Sequence, residues 1–518
     1  MTLILVFATL NLIIPTKQAL HMFQQNRYET TRYTIWLKTY VKQNGKTIIK
    51  VSFIVLAAFL SGVFISKYIA LVIMELLSMS IVQNELKQTY IKPLVYTARV
   101  KRQILTITLI YLLIILVITG FGFHASMYFL LASPFISYGA IYLMSMVTAP
   151  IERSFQHLFK QKAKDILSAH TGLIKVGITG SYGKTSSKNI VNEIVSNKFY
   201  TLSSPASFNT PMGLTITIRE HLKNTHALFI AEMGADKVGD IVELSELIKP
   251  DIAIVTSIGP QHLMTFKSLE NIINEKMSLV EHLPQNGLAI LNKDNEYIKN
   301  YHIKNNIEVK SYGIQNKDVD YFASNIEYSI KGSTFIVHAE NKEYAFSTRL
   351  LGEHNVSNIL SGIALGRHLN LDWILLQQAV SSINYVEHRL ELKKINNRMF
   401  IDNAFNSNPA GAAMSLQVLK KMPYTRWIIT PGLIDLGMIQ DEENYKFGQR
   451  MINHVDHVLL VGKHQTEAIY KGLKDSHFNM DNVIVFNTVK EALAYVYAHT
   501  REDDIILLEN DLPDAFNN

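Results

Sequence analysis

Apolar residues are spaced in two different ways along this chain, and the change falls near residue 150. Before it they come in long runs at 2–16, 51–66, 68–82, 104–123 and 126–148, too continuous for one-sided surface helices. After it they come as short blocks rich in aliphatic and β-branched residues: "LIKVGI" (173–178), "HALFIAEMGA" (226–235), "PDIAIVTSIG" (250–259) and "LAILN" (288–292). Between these blocks lie helix-like stretches such as "SKNIVNEIV" after 186 and "SLENIINEKMSLVEHL" (268–283). Short buried strands alternating with helices predict an α/β domain with a mainly parallel sheet. The stretch 319–350 alternates polar and apolar residues and predicts short antiparallel strands turning at "KGS". Strand-like runs at 426–430, 457–461, 482–486 and 504–508, with helical stretches between, predict a second, Rossmann-like parallel sheet.

Charge sharpens the reading of the first region. Residues 1–150 hold 13 Lys/Arg and 3 Asp/Glu, and the rest of the chain is net acidic. The basic residues gather at 17–50 and 83–103, between the apolar runs. If both segments face the cytoplasm, five spans follow, with the N-terminus outside and everything after 149 inside. Several runs are shorter than the roughly 20 residues that cross a bilayer comfortably. No charged segment precedes the run 2–16 and no small-residue site closes it, so a cleaved signal peptide is not expected. Glu75 sits inside an apolar run, where a carboxylate is either functional or reaches the membrane interface. The stretch 151–172 has an amphipathic cast: Ile151, Phe155, Leu158, Phe159 and Ile166 share a face, with Lys160, Lys162 and Lys164 between. It suits the membrane surface or the face of the following domain. The chain lacks cysteine, which excludes disulfides, zinc-thiolate sites and thiol nucleophiles. It has neither a basic tail nor an arginine stripe after 150, so nucleic acid is not an expected partner.

Candidate chemistry begins at "VGITGSYGKTSSKNIV" (176–191), a strand, a Gly-rich turn and a helix. Gly180 and Gly183, with Ser181 between, let backbone amides face phosphate oxygens. Lys184 brings a point charge to the terminal phosphates, and Thr185 or Ser186 a hydroxyl to Mg²⁺. Only Ser181 and Tyr182 separate Gly180 from Gly183, fewer than in the common eight-residue loop.

The short loop, and the motifs that follow it in order, resemble the Mur ligase superfamily, whose members form amide bonds in bacterial cell-wall synthesis; the closest likeness is to those adding D-Ala-D-Ala. The resemblance spans roughly 173–510. It implies that Asn209 and Thr210 in "SFNTPMGLTITI" approach the acceptor substrate. It assigns metal binding to Glu232 at the end of an apolar strand, to His262, and to Lys276 as a carbamate, a modification the sequence itself does not show. It places Asn292 and Asp294 near the nucleotide, and matches His354, Asn355 and Asn358 to an element in which Asn355 faces the adenine side. It aims Arg389 at the ATP phosphates, and Asp402 and Asn406 at the ribose and an acyl phosphate.

The apolar runs and their flanking charge predict a transmembrane region over 1–150 and an amphipathic linker over 151–172, and the resemblance implies a central ATP-binding domain over 173–385 and a Rossmann-like domain over 386–518. It implies ATP and Mg²⁺ as cofactors, a carboxylate acceptor and an amine as substrates, and a catalytic part on the cytoplasmic side of a bacterial membrane. The family's usual first domain binds a UDP-sugar; here membrane-like segments stand in its place. The expected acceptor is accordingly lipid-linked or membrane-bound, and anchoring raises its effective concentration. At "LLENDLPDAFNN" the family often has Lys-Gly-Ser, and Glu509 and Asp511 favour an amine or form a solvated tail. Two other readings stay open: a subunit that takes ammonia from a glutaminase partner, and a membrane P-loop ATPase.

Overall fold

The computed structural model describes residues 2–43, 93–120, 123–206, 208–385, 388–404, 408–434 and 439–510, with a few single positions between. The expected runs 51–66 and most of 68–82, with Glu75, lie outside the described residues, as do Asn406 and Asp511. The chain divides into two compact units, Met1–Phe159 and Lys160–Asn518.

The first unit is helical where it is described. Its helices are Thr2–Gln25, Thr30–Gln43, Ala98–Thr119 and the start of Phe123–Ala169, which runs on through Pro150 without a break. Ala19, Leu20, Phe23, Tyr33, Val100, Ile107, Tyr111, Ile141 and Met144 form its core. Trp36 stacks on Tyr33 and on Tyr40 at 5.6 and 5.3 Å. Glu152 accepts two 2.9 Å hydrogen bonds from Arg102. One described helix, over Ala98–Ile118, is long and apolar enough to cross a membrane. Its Leu105, Leu109, Leu112, Leu113 and Leu116 are exposed.

The second unit holds two sheets. The first has nine strands: β1 (Ile174–Thr179), β2 (Thr201–Ser203), β3 (Leu228–Glu232), β4 (Ile252–Val255), β5 (Leu288–Asn292), β6 (Glu308–Gly313), β7 (Tyr321–Ser329), β8 (Gly332–Ala339) and β9 (Lys342–Thr348), in the order β2-β3-β1-β4-β5-β6-β7-β8-β9. Pairing is parallel from β2 through β7 and antiparallel for β7–β8 and β8–β9. The expected antiparallel strands are therefore present, and they extend the parallel sheet rather than forming a separate one. The parallel part also continues two strands past β5, through β6 and β7.

Strand periodicity explains why the central strands read as unbroken apolar runs. Side chains alternate faces, and both faces here are covered by helices. Val176, Ile178, Leu228, Ile230, Ile252, Ile254, Leu288 and Ile290 pack on one face with Ile190, Ile194, Ile359 and Ile363. Phe229, Ala231, Ala253, Val255, Ala289 and Leu291 pack on the other, with Leu214, Ile241, Leu244, Ile272 and Met277. Ala163 and Leu167, with Ile166 against them, join this second face, so the end of the predicted amphipathic stretch packs on the α/β core. Ile151 and Leu158, expected on the same face, are exposed.

The second sheet comprises β10 (Glu391–Ile395), β11 (Arg398–Asn403), β12 (Arg426–Thr430), β13 (His457–Val461), β14 (Val483–Phe486) and β15 (Ile505–Glu509), in the order β10-β11-β15-β12-β13-β14. All its pairs are parallel except the hairpin β10–β11. The four strands expected from the sequence are β12 to β15. In both sheets the functional candidates fall where strands end, at the carboxyl edge where α/β folds bind ligands.

Candidate active site

The phosphate loop leaves the end of β1 and enters the helix Lys184–Val195 at Gly183, whose φ of 80° is left-handed. Gly183 has no side chain to cap the helix, so the first-turn amides face the loop's concavity. Gly180 is glycine for a steric reason: at its φ of 154°, a Cβ would overlap the Thr256 hydroxyl and stand 2.9 Å from Ser257 O. That closeness exists because the loop is fastened to the end of β4. Ser181 N donates to Ser257 O at 2.6 Å, Ser181 Oγ to Gly259 O at 3.0 Å, and Thr256 Oγ1 to Tyr182 O at 2.7 Å. Gly180→Ala is expected to displace the loop by enough to cost roughly 10²-fold in nucleotide turnover. The circular dichroism spectrum should keep its helical amplitude while a fluorescent ATP analogue loses affinity.

Lys184 opens the helix, and its ammonium donates to Gly180 O at 2.7 Å and Ser181 O at 3.1 Å. Burial lowers its pKa, while the charges of Glu232 and Asp236 oppose that shift. Thr185 and Ser186 lie in the same first turn, half-buried.

Glu232 ends β3 and is buried. Its Oε1 accepts from Asn209 Nδ2 at 3.0 Å. Its Oε2 is buried with no hydrogen-bond partner among the described residues, and Lys188 Nζ stands 3.5 Å away. A buried carboxylate oxygen without a donor is the kind of atom a cation completes, so this residue fits the implied Mg²⁺.

His262 follows β4 with a left-handed φ of 55° and brings Nε2 within 3.5 Å of Asp236 Oδ1. Lys276, on the helix Leu269–Glu281, is buried; its ammonium makes a long hydrogen bond, 3.4 Å to Ala235 O, and lies 6.0 Å from the centre of the Phe266 ring. Its pKa is pushed down to about 8, first by burial and then by the charge of Lys184; Glu275, Asp236 and Asp240 act the other way. A buried ammonium next to a second ammonium is poorly satisfied, and as a cation it does not fit a metal site. As a carbamate it does. The structure thus brings Lys184, Glu232, His262 and Lys276 to one region, with Asp236 interacting with three of them.

Other expected residues are placed more locally. Thr210 caps the helix Pro211–His221 through Gly213 N. Asn292 donates to Thr256 O at 2.8 Å and so ties the ends of β4 and β5 together. Asp294, expected near the nucleotide, accepts from the amides of Ile314, Gln315 and Asn316 and is committed to that turn. Asn358 accepts from Ser187 Oγ at 2.7 Å, and Asn355 donates to Leu351 O at 2.8 Å. His354 keeps Nδ1 buried without a partner among the described residues. Its pKa is pushed down to about 4, mainly by burial and further by Arg389, so it is neutral at physiological pH. The charge of Arg389, in the turn that leads into β10, thus reaches His354 at the start of the helix Glu353–His368.

Asp402, near the end of β11, accepts from Lys393 at 2.6 Å and His388 at 2.8 Å. Burial alone would raise its pKa, but these bonds and the Ala404 amide outweigh it and hold the carboxyl below its usual range. His388, Glu391 and Asp402 present ligand atoms within 4.8 Å of one another, but Lys393 already supplies the cation there. Glu509, at the end of β15, is buried and accepts from Asn403 Nδ2 at 2.9 Å, so it is part of the sheet edge rather than a solvated tail.

Sequence reasoning missed Lys188, Asp236, His388 and Lys393. Lys188 was legible as the i+4 neighbour of Lys184 on one helical face. Asp236 follows Glu232 through a turn that only the fold closes on His262.

Comparison with known proteins bears on this geometry. A model of the Mur ligase middle domain matches residues 178–366, and one of the Mur ligase glutamate ligase domain matches 388–509. The UDP-N-acetylmuramoyl-tripeptide–D-alanyl-D-alanine ligase of Buchnera aphidicola (subspecies Baizongia pistaciae) is 29% identical over 61% of this chain and 69% of that protein. The ligase of the same name from Bacillus subtilis is 27% identical over 68% of this chain and 75% of that protein. The structure of MurF ligase from Thermotoga maritima in complex with ADP superposes with a TM-score of 0.59 at 20% identity, covering 69% of this chain and 80% of that one.

Proposed function

Because two Mur ligase domain models together account for more than half of its residues, this chain belongs to the Mur ligase family, and we propose that it is a membrane-anchored enzyme joining a carboxylate to an amine through an acyl phosphate. At the coarser level it is a MurF-like, ATP-dependent, ADP-forming peptide ligase of peptidoglycan synthesis. The observation that carries the finer reading is the convergence of Lys184, Glu232, His262 and Lys276 at the carboxyl edge of β1, β3 and β4.

A carboxylate is a poor electrophile, and its oxygen is a poor leaving group. In the proposed first step that oxygen attacks the γ-phosphorus of ATP, ADP leaves, and an acyl phosphate forms. The amine then attacks the acyl carbon, loses a proton, and inorganic phosphate departs with the C–O electron pair. The chain's own residues position these groups. The amides of the first helical turn after Gly183 orient the phosphates, and the Lys184 ammonium offsets charge on the transferring phosphoryl. Arg389 does the same from the second domain. Asn209, bonded to Glu232, holds the acceptor side in register with the carboxylate. Glu232, His262 and a carbamylated Lys276 would hold Mg²⁺, which supplies electrostatic stabilisation of phosphoryl transfer. Forming that carbamate joins the neutral amine to CO₂ with release of one proton.

Anchoring rests on the first unit. Its Ala98–Thr119 helix exposes a leucine-rich face, and Arg99, Lys101 and Arg102 stand at its first turn. Such a face suits lipid, and basic residues at a helix end suit the cytoplasmic side, where ATP is made. The acceptor would then be lipid-linked or membrane-bound, and the amine D-Ala-D-Ala or a chemically similar dipeptide.

The test is ATP hydrolysis by the full chain in detergent with Mg²⁺, across a panel of carboxylates and amines including D-Ala-D-Ala. Turnover requiring one of each, with amide product in mass spectra, is the expected result. Turnover indifferent to both, but dependent on reconstitution into vesicles, would replace the ligase by a membrane ATPase.

A further inference from the structure

Lys188 is a fully buried lysine that the reaction scheme above leaves without a role. It lies one helical turn beyond Lys184 and is 1% exposed. Its ammonium makes two contacts of different kinds: 3.5 Å to Glu232 Oε2, and a 2.6 Å hydrogen bond to Ala206 O. Ala206 is itself unusual, a non-glycine residue with φ of 42°. The turn that contains it wraps the end of β3. On one side Ser204 Oγ accepts from Glu232 N at 3.1 Å. On the other, Asn209 Nδ2 donates to Glu232 Oε1, and Gly234 N donates to Asn209 O at 2.9 Å. The turn then passes into the helix capped by Thr210.

Residues 204–206 and 208–210 therefore form a collar around Glu232, closed at Ser204, at Ala206 and at Asn209. Two of the three closures use Glu232 directly. The middle one is made by Lys188, which bridges the carboxylate and the collar's backbone. Burying an ammonium is costly unless it is paired and hydrogen-bonded, and a lysine that only filled space would be replaced by methionine at no electrostatic cost. We propose that Lys188 is a positioning residue of the ligase reaction: its buried ammonium pins the collar bearing Asn209 and Thr210 to the metal-side carboxylate Glu232, so that one charge sets the acceptor site and the metal site together. The inference rests on the ligase reading for its consequence in catalysis, but not for the tether itself.

Lys188→Met keeps length and volume and removes the charge. It leaves the Glu232 carboxylate buried without a counter-ion, and for that reason alone the variant risks failing to fold. The double variant Lys188→Met with Glu232→Gln removes both charges and keeps the site neutral. Hydrogen–deuterium exchange on the ligand-free full chain reads the tether. Amides of 204–210 should exchange at least about tenfold faster in both variants, a factor corresponding to about 1.4 kcal/mol of lost local protection. The helix Lys184–Val195 should keep its wild-type rates. In steady state, Lys188→Met should raise together the KM for the carboxylate acceptor and the Mg²⁺ concentration at half-maximal rate, leaving KM for ATP nearly unchanged. Lys188→Arg, which keeps a cation and its donors, should recover part of both. Unchanged protection of 204–210 in both variants overturns the tether. Altered protection with acceptor and Mg²⁺ dependences that move independently overturns the coupling. If no acid and amine support turnover by the wild type, the ligase reading fails, and the exchange result still decides whether Lys188 holds the collar.

Discussion

Lys184→Ala should lower ATP turnover by roughly 10³-fold, while the melting transition of the full chain stays within a few degrees of the wild type. Both halves follow from where the side chain sits. Among the described residues its ammonium donates to Gly180 O and Ser181 O, carbonyls of its own loop, so losing it removes no hydrogen bond between distant elements there. The helix it opens is held by Ile190, Val191, Ile194 and Val195 in the core, not by its first turn. What disappears is the positive charge that the loop offers to a phosphoryl group in transfer. A single preorganised donor of that kind is worth about 10²–10³, and a full charge in a part-buried site lies at the upper end. Glu232, still paired with Lys188, and Asp236 remain, and without Lys184 their negative charge toward an incoming triphosphate is less fully offset. Nucleotide affinity should therefore fall along with kcat, measurable by titration with a fluorescent analogue. Retention of a tenth or more of the wild-type rate would mean that the chain does not use this loop to transfer phosphate.

The strands were legible because burial on both faces makes them apolar without a gap. β3, β4 and β5 fall inside their runs, and β1 is offset from its run by one residue. Connection was harder to read. Nothing local in the alternating stretch 319–350 says that β7 pairs parallel with β6, because that register is set by two residues on each side, Tyr312 with Tyr321 and Gly313 with Phe322. The chemistry divides the same way. Gly180, Lys184, Glu232 and Lys276 each carried a local signal: a glycine in a turn, a carboxylate ending an apolar strand, a lysine on an otherwise apolar helix face. Asp294 carried the same strand-end signal, and the fold spends it on three backbone amides. Lys188 carried only its i+4 spacing from Lys184, and Asp236 nothing that separated it from surface charge. What marks them is proximity in space, to Glu232 and to His262, across elements tens of residues apart in sequence.

Lys276 is where the pH dependence of the enzyme should originate. The folded pKa of about 8 lies below the ordinary lysine value because burial and the neighbouring Lys184 both disfavour the ammonium. The sign of the stability effect follows. Between about 8 and about 10.4 the unfolded chain binds a proton that the native lysine has released, so stability of the unmodified protein rises with pH across that window. The same depression leaves about a tenth of the amine neutral at pH 7, several hundred times more than for an ordinary lysine. Only the neutral amine adds to CO₂, so Lys276 is prepared for carbamylation by its surroundings, and Lys184→Ala should undo part of that preparation. Ligase activity in CO₂-stripped buffer should fall steeply as pH drops from 8 to 6.5 and return when bicarbonate is added. A ¹³C-bicarbonate NMR resonance in the carbamate region should appear with the wild type and vanish in Lys276→Ala. That variant should lose about 10³-fold in rate, the scale of one lost electrostatic contact in phosphoryl transfer, and recover part of it with acetate, which brings a carboxylate into the vacated space. Lys276→Arg should not recover at all, because it fixes a second cation beside Lys184. If activity is indifferent to CO₂ across this pH range and Lys276→Arg is as active as the wild type, Lys276 works as a cation and the metal is held by other residues.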